Sequence, residues 1–156
     1  MIRIYLIVLF VCLFSCDGGD EGDFSYEHNG LYWSDISDDY MTWDEAVTYC
    51  ENLGGRLPNI TELRTIIINC PGTITGGACA VNESDHLANM DYSEDCYCDG
   101  SAESYSALGD SVDTVLWSSS EQSDNADRAW FVRFEYGYVD WDGDKSKYGC
   151  YVRCVK

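Results

Sequence analysis

Histidine and basic residues are scarce in this 156-residue chain: there are two histidines, His28 and His86, and nine lysines and arginines against 28 aspartates and glutamates. With so little imidazole, acid–base or nucleophilic catalysis has few places to reside. Neither histidine sits beside a nucleophile in an arrangement such as Gly-x-Ser-x-Gly. Ser118-Ser119-Ser120 follows a short apolar run but has no base nearby in sequence, so its expected role is to cap a strand end. No catalytic residue is assigned. The formal charge of −19 repels nucleic acid and acidic polysaccharide and favours metal cations, basic partners or plain solubility at a surface. Long apolar runs are missing as well. The apolar stretch Ile4 to Phe14, which carries no charge, is too short to span a bilayer as a helix. No internal repeat is apparent.

That stretch has the form of an export signal, with one cation, Arg3, ahead of an apolar core. It ends in Leu13-Phe14-Ser15-Cys16, which resembles a bacterial lipoprotein signal. The resemblance implies a signal peptide over 1–15 and diacylation of Cys16, which becomes the first mature residue. The mature chain then carries −20, because Arg3 is the only charge removed. Residues 16–24 follow as an acidic, glycine-rich tether that cannot bury apolar surface and stays solvated. The expected location is the bacterial cell envelope, lipid-anchored on an extracytoplasmic face. The remaining 25–156 is the size of one domain.

Cysteine is plentiful. Beyond Cys12 and Cys16 stand Cys50, Cys70, Cys79, Cys96, Cys98, Cys150 and Cys154, a density that belongs to an oxidising compartment. Seven is odd, so at least one is free, paired between molecules or bound to something else, and about a hundred pairings are open. Cys96 and Cys98 are too close along an extended chain to pair comfortably with each other. Each is expected to reach back to Cys70 or Cys79, with Cys150 left over or substituting for one of them. A metal site from Cys79, Cys96, Cys98 and His86 matches no familiar zinc spacing.

Two helices are expected near the start of the domain. Thr42-Trp43-Asp44-Glu45 has the form of a capping box, with Trp43, Ala46, Val47 and Cys50 on one face and Gly54-Gly55 as the stop. Asn59 with Glu62 caps a second, whose buried stripe is Ile60, Leu63 and Ile67. From Cys70 to about Tyr105 hydrophobic periodicity disappears, over a length unusual for a connection, and disulfides are expected to hold it. Strands are expected at Leu31-Tyr32-Trp33, at Val115-Leu116-Trp117, through the alternation of Trp130, Val132 and Phe134 with Phe131, Arg133 and Glu135, and beyond the turn Tyr136-Gly137-Tyr138 at Val139 and Trp141. In the last segment Cys150, Val152 and Cys154 share one face and Tyr151, Arg153 and Val155 the other. This is an α+β plan with helices segregated from a mainly antiparallel sheet.

Gly30-Leu31-Tyr32-Trp33, Met41 to Ala46 leading to Tyr49-Cys50, Leu53 to Pro58, Glu62-Leu63, Leu116 to Ser120, Ala129-Trp130 and Tyr151 to Val155, in that order, together resemble a bacterial domain of unknown function. The same domain type forms the C-terminal part of the Legionella collagen-like adhesin. That family is similar to the C-type lectin-like and formylglycine-generating-enzyme folds. The resemblance implies two helices on a mixed sheet, first and last strands side by side, and a disulfide between Cys50 and Cys154. It also implies sulfated polysaccharide as a ligand, which a charge of −20 opposes.

Asp140-Trp141-Asp142-Gly143-Asp144 sets three carboxylates at alternate positions, which offers oxygen ligands to calcium. It lacks an EF-hand's twelfth-position glutamate, and the Glu-Pro-Asn, Gln-Pro-Asp and Trp-Asn-Asp triplets of sugar-binding C-type lectins are absent, so an acidic loop tip is the simpler reading. Trp43, Trp117 and Trp130 stand at core positions. Tyr136, Tyr138 and Trp141 flank a turn among acids and are the candidate ligand-binding residues. The expected function is a lipid-anchored adhesion or binding module that engages a surface protein or glycan, no nucleic acid, through the Cys70–Tyr105 loop and the Tyr136–Asp144 turn. The alternatives are a formylglycine-generating-type oxidase using Cys150 with Cys154, oxygen and copper, and a purely structural lipoprotein.

Overall fold

A computed structural model of the chain describes residues 22–83, 96–99 and 104–156, apart from the side chain of Asp142. The lipoprotein signal, Cys16 and His86 lie outside the described residues. Five strands and two helices follow in the order β1 (Tyr26–His28), β2 (Leu31–Trp33), α1 (Trp43–Asn52), α2 (Ile60–Thr65), β3 (Val115–Gln122), β4 (Asn125–Arg133) and β5 (Tyr138–Asp144). The protein is α+β, with two helices on antiparallel sheets.

Local chemistry sets the helix starts. The Glu45 carboxylate accepts from both the backbone N–H and the hydroxyl of Thr42, at 2.9 and 2.7 Å. Asn59 and Glu62 reciprocate: Asn59 Oδ1 accepts from the Glu62 N–H at 2.8 Å, and the Glu62 carboxylate from the Asn59 N–H at 2.9 Å. Gly54, at φ +76°, ends α1 in the left-handed region. The second stripe differs from the 3.6-residue expectation. α2 stops at Thr65, so Ile66 as well as Ile67 turns inward, and Ile67 bridges to Ser106 instead of continuing a helical face.

β1 and β2 form a hairpin whose turn, Asn29-Gly30, has both residues at positive φ, 53° and 78°. From β2 onward the chain runs antiparallel to its own C-terminus. Tyr32 and Lys156 exchange both backbone bonds at 3.0 Å, Ser34 N–H reaches Cys154 O at 2.9 Å, and Met41 N–H reaches Cys150 O at 2.9 Å. On its other side the last segment bonds Arg56 through Val155 and joins β3 by a parallel bridge from Tyr151 to Leu116.

The three-stranded sheet runs in the order β3-β4-β5 and is buried on both faces. Leu116, Trp130, Val132 and Val139 join Ile60, Leu63 and Ile66 in one core; Trp117, Ala129, Phe131, Val152 and Cys154 join Ala46 and Cys50 in a second. The helices therefore lie on opposite faces of the strands, one against each core. β3 is also longer than its apolar run, because Ser118–Ser120 continue it. Ser118 Oγ donates to Trp130 O at 2.8 Å, and Ser120 Oγ accepts from the Ile60 N–H at 2.7 Å. These hydroxyls satisfy backbone inside the fold instead of capping a strand end. Trp43 is only half-buried, its indole N–H donating to Ser118 O at 2.8 Å with Lys145 over its ring.

Three disulfides are formed, Cys50–Cys154, Cys70–Cys98 and Cys79–Cys96, and Cys150 is free and buried. A thiolate metal site using Cys79, Cys96 and Cys98 is thereby corrected, since a disulfide sulfur carries no thiolate charge for a metal. No helix among the described residues is long and apolar enough to cross a membrane.

Candidate functional site

Cross-strand register decides which side chains meet at the open end of the β4–β5 ladder. Arg133 pairs with Tyr138 and Phe131 with Asp140, and directly opposed residues share a face. Tyr138, Arg133 and Asp140 thus project to one side, while Val132 and Val139, their alternating neighbours, enter the core behind. Tyr136 and Tyr97 complete an open cleft of about 390 Å³ lined by these five residues, within the size range of small-ligand sites.

Two features hold the cleft in shape. Gly137 turns the chain at φ +53°, and a Cβ there would stand 2.9 Å from Cys70 Cβ, so the turn needs glycine both for its backbone and for its approach to the disulfide. Cys98, bonded to Cys70, gives its backbone N–H to Tyr136 O at 2.8 Å. The Cys96-Tyr97-Cys98 segment is thus tied from both half-cystines, and Tyr97 faces out between them, 37% exposed. Its ring meets that of Tyr138 edge to face, centroids 6.2 Å apart and planes at 83°. Glu135 raises the Tyr136 hydroxyl above its ordinary phenolic range by hydrogen bonding and charge. Arg133 donates to the Tyr148 hydroxyl at 2.9 Å and lies 5.4 Å from the Phe131 ring centroid.

Of the three aromatic candidates, Tyr136 and Tyr138 reach this cleft and Trp141 does not. One β4 residue, Trp130, stands across from two on β5, Trp141 and Asp142, between the pairs Phe131–Asp140 and Ala129–Gly143. Trp141, two residues beyond Val139, lies half-buried on the Val139 side of the sheet by simple alternation, with Arg128 5.1 Å from its ring; the bulge shifts only the residues that follow it. The acidic triplet is divided as well. Asp140 lines the tyrosine cleft and accepts the Trp141 N–H at 2.7 Å, while Asp144 lines a separate depression with Asp44 and Asp127. Lys147 and the hydroxyl and N–H of Ser146 hold Asp144 down at about 2. Among the described residues no three His, Cys, Asp or Glu side chains gather as a metal site would require.

The paired-cysteine chemistry of an oxidase is not assembled. Cys154 is bonded to Cys50, and burial pushes the Cys150 thiol up to about 12, the reverse of an activated nucleophile. His28 donates from Nε2–H to Thr65 O, 2.8 Å away at the end of α2, far in the chain from any cysteine of that pair.

Tyr97 and Arg133 are the cleft residues that a reading of the sequence alone passes over. For Tyr97 a signal exists: two half-cystines at i−1 and i+1 turn inward, so the residue between them turns out. Arg133 carries none, because its alternation with Val132 marks a solvent-side residue without saying what lies across the ladder.

A family model described as the Lcl C-terminal domain matches residues 25–156. No curated protein and no solved structure matches the chain.

Proposed function

The chain belongs to the Lcl C-terminal domain family, and from that premise we propose that it is a surface adhesion-type module of C-type lectin-like fold, anchored by lipid at Cys16, that binds a protein or neutral glycan in the tyrosine cleft. The observation that carries this reading is the convergence of Tyr97, Tyr136 and Tyr138 with Arg133 and Asp140 on a disulfide-fixed rim. Tyrosines offer large amphipathic contact area with little rotamer entropy to lose, and the rim is already ordered, which lowers the cost of binding. Arg133 and Asp140 supply polar groups that give direction. Resident calcium forms no part of this reading, since Asp140 and Asp144 serve different depressions.

The acidic tether that starts at Cys16 keeps the domain clear of the bilayer and ends short of residue 24, because Gly22 N–H bonds Leu53 O and Phe24 is buried in the second core; the mature charge of −20 disfavours nucleic acid and sulfated polysaccharide. Glycan and peptide arrays probed with the purified chain test the reading. Retention of a neutral glycan or peptide is expected, with loss of at least about tenfold in affinity on Tyr97→Ala or Tyr138→Ala, the size of one hot-spot aromatic. Retention that both substitutions leave intact would remove the cleft from the function, and capture on heparin at physiological salt would remove the charge argument. Palmitate labelling of the wild-type chain, absent in Cys16→Ala, tests the anchor separately.

A further inference from the structure

The shape and field of the cleft narrow its ligand further. Tyr97 and Tyr138 meet at 83° with centroids 6.2 Å apart, so they form adjoining walls of a corner rather than one flat platform. A sugar ring stacks best on a flat aromatic face, whereas a compact, nearly spherical group fills a corner. Tyr136 stands in the same lining, Asp140 places a carboxylate in it, and the acidic Glu135 precedes Tyr136 in the chain. Among the described residues of the lining the one cation is Arg133, whose guanidinium is directed to the Tyr148 hydroxyl and the Phe131 ring. The molecule around the cleft is strongly acidic, with a formal charge of −19 over the whole chain, which concentrates cations at its surface. Aromatic faces with carboxylates nearby attract alkylammonium ions through the ring quadrupole, most strongly where the ion sheds little hydration.

We propose that the tyrosine cleft is a receptor for a quaternary ammonium group, held by the faces of Tyr97, Tyr136 and Tyr138 and by the carboxylate of Asp140. The inference rests on the cleft being the ligand site of the adhesion reading, and it names the chemical group that the ligand presents there. A methylated ammonium is preferred over a primary one because its charge is spread over methyl groups that lose little on leaving water for a mostly apolar lining.

The test compares choline with its uncharged isostere 3,3-dimethylbutan-1-ol, titrated calorimetrically into the full chain at constant ionic strength. Choline is expected to bind about tenfold more tightly than the isostere. Tyr138→Phe keeps the ring and is expected to hold choline within about twofold, while Tyr138→Leu, which removes the quadrupole, is expected to lose that preference. Asp140→Asn is expected to weaken choline without changing the isostere. Equal binding of the two probes, or no saturable choline binding, overturns the proposal without needing any variant to fold. Competition by phosphocholine separates sources. Displacement at lower concentration than free choline assigns the group to a phosphate-linked headgroup, and displacement at higher concentration assigns it to a free ammonium compound; either supports the proposal. If choline fails while an array ligand still depends on Tyr97 and Tyr138, the adhesion reading stands and only the ammonium assignment falls.

Discussion

Cys150 is the odd thiol left when the other six domain cysteines pair, and its chemistry is set by burial in the core shared with Trp117 and Phe131. Low-dielectric surroundings penalise the thiolate, so its pKa rises from 9.0 to about 12. In the unfolded chain the thiol ionises from about pH 9, while in the native chain it stays neutral to about pH 12. The unfolded state is therefore favoured progressively across that window, and the stability held below pH 9 is lost as pH rises through it. Urea midpoints measured from pH 8 to 11 should fall more steeply for the wild-type chain than for Cys150→Ala; superimposable profiles would show that Cys150 does not control the alkaline limb. The same burial makes the native thiol slow toward a disulfide reagent and reactive once denatured.

At the scale of elements, α2 organises the loop that follows it through one side chain. Arg64 is 4% exposed and donates to the carbonyls of Thr73, Ile74, Cys79 and Val81, three of them at 2.8, 2.9 and 2.8 Å in the order Thr73, Ile74, Cys79. Its planar fork spans these acceptors in a way that lysine's single ammonium does not. Burial lowers its pKa, yet the guanidinium stays charged at ordinary pH and is compensated by carbonyl dipoles. Arg64→Met should cost about 3 kcal/mol, because several buried carbonyls lose their donors at once. Hydrogen exchange should show faster opening over residues 73–81 than over β3–β5; uniform protection would show that the disulfides alone hold the loop. The helix starts were legible because a capping box is closed within four residues. Arg64's role was not legible, since its partners lie 9 to 17 residues away in a loop without periodicity. The serines of β3 were opaque for the same kind of reason. Polar residues inside a buried strand become tolerable only when Trp130 O and the Ile60 N–H are brought to them.

Across the whole molecule, closure is the dominant feature. The segment from Cys150 to Lys156 pairs with β2 and the chain that follows it, and Cys50–Cys154 links residues 104 apart. On the chain-entropy model such a link contributes on the order of 4 kcal/mol by restricting the unfolded chain. Replacing both cysteines by alanine should lower the urea midpoint accordingly, with the α+β circular dichroism spectrum retained below it. An unchanged midpoint would mean that the strand pairing closes the molecule unaided. Amino-acid order by itself determined the two capped helices, the alternating strands, the inward pair Cys150 and Cys154, and the family, because each is written in short-range spacing or in an ordered set of motifs. Only tertiary structure decided that both sheet faces are buried and that Tyr97 and Arg133 join Tyr136 and Tyr138. Strand register sets which residue lies across a ladder, and a disulfide carries a distant loop to a strand end; neither leaves a local trace in the sequence.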